Sequence, residues 1–134
     1  MSDENVEIVR RTFDAWYRRD LPQLLELYDE DVSILPLTGT RVESGGYRGH
    51  DGAAEYLEEI EEVWEEMRPY ADDLRSSGDT VVVIGGCRVR GRESGAEADT
   101  AMAWVIRLND GRIVSTRAFP DASAALAEAG LEDD

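Results

Sequence analysis

Four residues of this sequence could support acid–base or nucleophilic chemistry, although none of them belongs to a known motif. They are Asp121, His50, Arg88 and Cys87, and the chain has one histidine and one cysteine in all. A carboxylate and an imidazole can move protons at neutral pH, and a thiolate can act as a nucleophile. Each residue also has an ordinary structural role. Asp121 suits a helix cap, a lone loop histidine is commonly solvated, and a buried cysteine packs as a small hydrophobe.

The sequence contains no established catalytic, phosphate-binding or metal-binding motif. There is no G-x-S-x-G elbow, no phosphate-binding loop, no G-x-G-x-x-G fingerprint and no metal-ligand spacing. The pair Gly85-Gly86 lies inside an apolar run and is typical of a strand bulge or a close packing contact. A lone cysteine cannot form an internal disulfide. The sequence therefore predicts neither a cofactor nor a metal.

The charge balance restricts the partners of the chain. Its net charge of −16 arises from 30 acidic residues against 14 basic ones, all of them Arg. Such a charge repels nucleic acid phosphates and anionic lipids, so we expect no nucleic acid partner and no membrane association. No apolar run approaches the ~20 residues of a membrane span, and residues 1–5 are polar rather than typical of a signal peptide. We therefore expect a cytoplasmic protein with a single domain, 1–134.

Hydrophobic residues at intervals of three and four predict three helices in the first half of the chain. These helices cover 5–19, about 21–28 and about 52–67. Asp20 and Asp51 precede the second and third helices and are expected to be their N-caps. Trp16 and Trp64 are expected to be buried under a sheet as core anchors, with Met67 at the end of the third helix.

The second half of the chain alternates apolar and polar residues in the manner of strands. The predicted strands cover 32–35, 70–75, 80–90, 98–108 and 112–119. Gly78-Asp79 and Asn109-Asp110-Gly111 are hairpin turn signals between them. Asp121 is then expected to cap a short final helix. Helices followed by an antiparallel meander predict an α+β fold with the helices on one face of the sheet.

The other face of this sheet is also apolar. Alternation assigns Val82, Ile84, Val105 and Phe119 to it. A patch of this kind is unfavourable in water. We therefore expect a homodimer formed through the outer sheet face.

Several short sequence segments occur along the chain in an order that is typical of one superfamily. They are Phe13-Asp14-Ala15-Trp16, Leu27 to Val32, Tyr47 to Gly52, Asn109 to Val114, and Asp121 with Ala129-Gly130-Leu131. Together they resemble the SnoaL-like branch of the nuclear transport factor 2-like superfamily. The resemblance implies a cone-shaped α+β fold, in which a curved mixed, mostly antiparallel sheet packs on three N-terminal helices and encloses an internal pocket.

The resemblance does not extend to the catalytic residues of two enzymes of this superfamily. The ketosteroid isomerase positions fall on residues 34–37, which contain no acid, on Trp104 in place of the oxyanion-binding acid, and on Thr12 in place of a tyrosine. The limonene epoxide hydrolase aspartates fall on Arg90 and Ala118. We therefore expect neither activity.

Other enzymes of the superfamily leave one alternative open. The polyketide cyclases of the branch use an acid near the end of the last strand with a nearby histidine, and Asp121 is the acid found there. The alternative function is thus an isomerase, cyclase or hydrolase with a non-standard site around Asp121, His50, Arg88 and Cys87.

The expected pocket has an apolar and aromatic lining. By alternation and by the resemblance, the predicted ligand-binding residues are Thr12, Trp16, Leu35, Trp64, Val83, Cys87, Met102, Trp104, Thr116 and Ala118, and Val114 is assigned to the same face. A lining of this kind suits a small apolar molecule held by shape, or a core filled by its own side chains. The predicted function is the binding of a small apolar molecule without the known catalytic sets.

Overall fold

A computed structural model describes residues 2–131 of the chain. Its helices are α1 (Ser2–Arg18), α2 (Leu21–Leu27), α3 (Gly49–Val63) and α4 (Ala122–Ala129). Its strands are β1 (Tyr28–Leu35), β2 (Tyr47–Arg48), β3 (Trp64–Ser77), β4 (Thr80–Gly91), β5 (Glu97–Asn109) and β6 (Arg112–Phe119). A short 3-10 turn, Val42–Ser44, lies between β1 and β2.

The strands form one open, mixed sheet in the order β2-β1-β6-β5-β4-β3. The β1–β6 pair is parallel and the other pairs are antiparallel. Helices α1, α2 and α3 pack on one face, here called the inner face, and α4 packs on the other, the outer face. The predicted α+β cone fold, with a mostly antiparallel sheet on three N-terminal helices, is confirmed.

Local signals set several boundaries as predicted. The Asp20 carboxylate accepts a hydrogen bond from the Gln23 backbone N–H at 3.2 Å and caps α2, which has Pro22 in its first turn. Asp110 and Gly111 have φ values of 51° and 78°, as the tight turn between β5 and β6 requires. The last strand has the bounds that its alternation predicts.

The predicted third helix was wrong at both ends. It begins at Gly49, so Asp51 lies in its first turn, and the capping position is Arg48, which makes no side-chain cap. It ends at Val63, and Trp64 and Met67 belong to β3, where they pair with Gly91 and Val89 of β4. Pairing along the long β3–β4 hairpin outweighs the helical spacing of the apolar residues.

Arginine side chains stabilise this early helix end. The Arg19 guanidinium donates to the carbonyl oxygens of Trp64 and Glu65, both at 2.8 Å. Arg92 donates to the carbonyl oxygens of Glu61 at 2.9 Å and Trp64 at 3.3 Å. These bonds satisfy backbone acceptors that a terminating helix would otherwise leave unpaired.

A bulge changes the predicted inner face of the last strand. The β5–β6 register shifts between Arg107 and Leu108. As a result Ile113, rather than Val114, lies in the buried inner cluster. One extra residue in a strand reverses the face of every residue beyond it, which simple alternation cannot anticipate.

Helix α4 covers the apolar part of the outer face. Val82, Val105 and Phe119 form a buried cluster with Ala103 and with Ala125 of α4, and Leu126 and Leu131 pack against it. Asp121 caps this helix by accepting from the Ala124 N–H at 2.8 Å. The patch from which we predicted a homodimer is therefore largely covered within the chain, while dimerisation itself stays a prediction.

Within residues 2–131, no helix combines the length and the apolarity that crossing a bilayer would require.

Candidate functional site

The inner face of the sheet carries most of the predicted ligand-binding residues. Strand pairing aligns Val83, Trp104 and Ala118 across β4, β5 and β6, and Thr116 pairs with Ile106 of the buried inner cluster. Cys87 follows Val83 by four residues in β4, whose register with β5 is continuous, and so shares its face. Met102 pairs with Gly85 on that face. The structure thus brings these residues of three neighbouring strands together.

Leu35 is not part of this group. Ile34 lies in the inner cluster, so alternation turns Leu35 to the outer face. There it pairs with Arg117, whose guanidinium lies over the Phe119 ring of the outer cluster. The predicted role of Leu35 in the pocket was therefore wrong, because Ile34 rather than Leu35 faces the helices.

The predicted residues on α1 are buried and hydrogen-bonded. The Thr12 hydroxyl donates to the Ile8 carbonyl oxygen at 2.9 Å and is satisfied within the helix. The Trp16 indole Nε1–H donates to the Tyr28 hydroxyl at 2.7 Å, and both side chains lie in the core. Trp16 is 8% exposed, which confirms it as a core anchor.

Aromatic rings meet between the helices and the sheet. Phe13 and Trp104 pack edge to face, with ring centroids 4.9 Å apart. Trp16 and Tyr47 lie against Tyr56 of α3, with centroid distances of 5.5 Å and 4.9 Å. Such arrangements are favoured by the ring quadrupoles.

Four aromatic residues keep partial access to solvent although they pack on the core. They are Phe13, Tyr56, Trp64 and Trp104. Their neighbours Val83 and Ile106 are 0% and 1% exposed. Aromatic residues that are partly exposed therefore border residues that are fully closed to solvent.

Tyr56 was missed by the sequence analysis. It follows Ala53 by three residues and precedes Leu57 and Ile60, and all three of these residues are buried. Positions 53, 56, 57 and 60 form one helical face, so the spacing alone could have identified Tyr56 as inward-facing.

Cys87 lies half-buried on the inner face and stays a thiol. Burial, together with the nearby charge of Asp99, raises its pKa to about 11. Since the thiolate is the nucleophilic form, the raised pKa lowers the reactivity of Cys87 at neutral pH.

The four residues of the alternative active site are not brought together. Cys87 and Arg88 are adjacent in β4 and point to opposite faces, and Arg88 pairs with Asp99 at 3.2 Å. His50 Nε2 lies 3.1 Å from the Tyr28 carbonyl oxygen, and Asp121 caps α4. Within residues 2–131, no hydrogen bond or ion pair joins any two of these four.

Two concavities lie on the surface and are lined by none of the ten predicted residues. One of about 470 Å³ is lined by Glu66, Arg68, Arg88, Val89, Arg90, Glu97, Ala98 and Asp99. Its charges pair across strands, as in Arg90–Glu66 at 3.3 Å. The other, of about 330 Å³, is lined by Glu30, Arg48, Gly49, His50 and Asp51. Both concavities are lined by acidic and basic side chains, so neither favours a ligand of one charge.

Glu59 of α3 holds the segment between β1 and β2. Its carboxylate accepts from the Thr40 N–H at 3.1 Å, the Thr40 hydroxyl at 2.7 Å and the Tyr47 hydroxyl at 2.7 Å. Burial by itself raises the pKa of Glu59, but these hydrogen bonds and the charge of Arg41 outweigh it and lower the pKa below its ordinary value.

Comparison with known proteins points to one family. Residues 9–116 match the model of the SnoaL-like domain. An NTF2-like protein of unknown function from Burkholderia pseudomallei is 30% identical, with a TM-score of 0.78 over 95% of this chain and 97% of that one. An NTF2-like protein from Burkholderia xenovorans is 27% identical, with a TM-score of 0.74 over 96% and 97%. TerC, co-crystallised with polyporic acid, is 23% identical, with a TM-score of 0.76 over 93% and 96%. No curated protein matches the chain.

Proposed function

The chain belongs to the SnoaL-like domain family, and from this premise we propose that it binds a small, largely apolar aromatic molecule between the inner face of its sheet and helices α1 and α3. The observation that carries the proposal is the partial exposure of four aromatic residues that pack on the inner core cluster, Phe13, Tyr56, Trp64 and Trp104. A ligand that covered these rings would gain the hydrophobic free energy that the chain alone leaves unrealised.

The contrast within β5 supports this site over a filled core. Ile106, two residues from Trp104 on the same face, is 1% exposed, whereas Trp104 keeps partial exposure. In a fully packed interior the larger ring would be excluded from water as well. The partly exposed aromatic residues come from α1, α3, β3 and β5, and ring contact joins two of them, Phe13 of α1 and Trp104 of β5.

The polar groups nearby favour binding over catalysis. The Thr12 hydroxyl is committed to the Ile8 carbonyl oxygen, and Trp104 packs on Phe13. Cys87 stays protonated because burial raises its pKa. General acid–base catalysis needs a positioned group that titrates near the working pH, and these residues supply none. The similarity to TerC is evidence of a shared fold only, so the proposal rests on the side chains of this chain.

The proposal is tested by titration with the neutral probe N-phenyl-1-naphthylamine, whose fluorescence rises in an apolar site. We expect saturable binding with one probe per chain. Phe13→Leu and Trp104→Leu should each weaken binding, because they remove accessible ring surface. Val63→Ala is the matched control, since Val63 is apolar but 55% exposed outside the site. Absence of saturable binding, or equal affinity in all the variants, would refute the proposal.

Homodimerisation through the outer face is a separate proposal. The cover that α4 provides reduces the apolar area available to a second copy, although Ile84 at the edge of the cluster stays partly exposed. Two subunits of charge −16 repel each other, so association should tighten as salt screens that charge. Sedimentation velocity at low and high salt measures this directly, and a monomer at micromolar concentration under both conditions would contradict it.

A further inference from the structure

The Tyr56 ring is held in a fixed position on the inner side of α3. Trp16 packs against one part of it, with ring planes at 66°, and Tyr47 against another, at 37°. Its helix neighbours Ala53 and Leu57 lie in the buried core. A ring held in this way presents its hydroxyl in one direction. The side chain therefore loses little further conformational entropy when a ligand binds.

The Tyr56 hydroxyl differs from those of the two nearby tyrosines. The Tyr28 hydroxyl accepts a hydrogen bond from Trp16, and the Tyr47 hydroxyl donates one to Glu59. Across residues 2–131, by contrast, we find no hydrogen-bond partner for the Tyr56 hydroxyl. In the same part of the chain, no side-chain nitrogen or oxygen is both fully buried and unpaired. The Tyr56 hydroxyl therefore reaches accessible space.

Burial and neighbouring charges keep the Tyr56 hydroxyl protonated. Burial raises the pKa of Tyr56 well above its ordinary value, and the charge that Cys87 would carry raises it next, followed by that of Tyr47. The phenol stays protonated at ordinary pH and can donate a hydrogen bond but cannot act as a base.

We propose that Tyr56 is the residue that selects the ligand of this site, by donating its O–H to a carbonyl-type acceptor on a flat, neutral, apolar molecule. This inference rests on the proposed function, since it needs a ligand at the accessible rings. A neutral acceptor fits the surroundings, because the charge of the Glu59 carboxylate, which raises the pKa of Tyr56, and the net charge of the chain both repel anions. The hydroxyl has no protein partner and gains one when such a ligand binds. A ligand without an acceptor would instead displace water from the hydroxyl and leave it without a hydrogen bond.

The test compares 9-fluorenone with fluorene, two flat three-ring molecules that differ in one carbonyl group. Their dissociation constants are measured by competition with N-phenyl-1-naphthylamine for the wild type, Tyr56→Phe and Tyr17→Phe. Tyr17 is the matched control because it is 39% exposed on α1. We expect Tyr56→Phe to lower the preference for fluorenone over fluorene by about 2- to 10-fold, the value of one neutral hydrogen bond. Tyr17→Phe should leave the preference unchanged.

The outcomes separate this inference from the proposed function. If both molecules bind and Tyr56→Phe leaves their ratio unchanged, the site stands and the role of Tyr56 is refuted. If neither molecule binds the wild type, the proposed function fails and the role of Tyr56 fails with it. Should Tyr56→Phe not fold, the infrared carbonyl stretch of fluorenone bound to the wild type decides. A shift to lower frequency than in a dry apolar solvent supports the hydrogen bond, and an unshifted band refutes it.

Discussion

Replacing Glu59 by Ala tests whether one carboxylate stabilises the segment between β1 and β2. The change removes the acceptor of three hydrogen bonds, two from Thr40 and one from Tyr47. The Thr40 bonds are exposed, so water replaces them at small cost. Tyr47 is 1% exposed, and a buried hydroxyl left without its partner costs about 1–3 kcal/mol. We therefore expect Glu59→Ala to lower the free energy of unfolding by about 2 kcal/mol, most of it through Tyr47.

A double-mutant cycle assigns this cost to the Tyr47–Glu59 bond. In a Tyr47→Phe background the donor is already absent, so Glu59→Ala should cost at least about 1 kcal/mol less than in the wild type. Glu55→Ala is the control on the same helix. It breaks only the exposed ion pair with Arg41, at 3.0 Å, and such pairs contribute about 0–1 kcal/mol. All variants are measured by urea denaturation followed by tryptophan fluorescence.

The pH dependence gives the same prediction a second check. Because the folded pKa of Glu59 lies below its unfolded value of about 4.3, the carboxylate stabilises the fold fully above that value. This stabilisation is lost as the pH falls through the folded pKa. The difference between wild type and Glu59→Ala should thus be constant above about pH 5.5 and shrink below about pH 4. A difference under about 0.5 kcal/mol at neutral pH, or one that persists in full at about pH 3, would refute the reasoning.

Four further predictions follow from the core, the caps and the inner face. Trp16→Ala should cost about 3–5 kcal/mol in urea denaturation, because the ring is buried and its indole bonds to a buried hydroxyl; a cost under about 1 kcal/mol would show the helix face to be misassigned. Asp121→Ala should cost about 0.5–2 kcal/mol through loss of the α4 cap, whereas Asp121→Asn should retain most of the stability. Cys87 should resist Ellman's reagent in the folded protein near neutral pH and react fully in urea, and rapid labelling of the folded form would contradict its burial and raised pKa. The purified protein should neither isomerise a ketosteroid nor hydrolyse limonene epoxide above the uncatalysed rate, since Trp104 and Ala118 offer no acid or base; turnover would show the residue assignment to be wrong.

The sequence was sufficient wherever a local signal decides the structure. The Asp20 and Asp121 caps, the turn at Asp110-Gly111 and the bounds of β6 each depend on residues within a few positions of one another. A capping carboxylate bonds a backbone N–H three residues ahead, and a tight turn needs residues that tolerate positive φ. Both requirements are visible in the sequence itself.

The candidate site was predictable in part. Alternation along β4 and β5 assigned Val83, Cys87 and Trp104 to one face because no bulge interrupts the pairing of these two strands. Tyr56 was missed, although its helical spacing was sufficient to find it. The sequence could not show that the Tyr56 hydroxyl lacks a hydrogen-bond partner, because the surroundings of the hydroxyl depend on where Trp16 and Tyr47 lie in three dimensions.

Only the tertiary structure decided the remaining points. Helix α3 ends at Val63 rather than about residue 67 because β3 pairs with β4 along its length and two arginines bind the free carbonyl groups. Ile113 replaces Val114 in the core because of a bulge in the β5–β6 ladder. Helix α4 covers the outer face that we assigned to a second subunit. In each case the outcome depends on a partner distant in sequence, and a residue's own neighbours do not encode which distant segment will cover it.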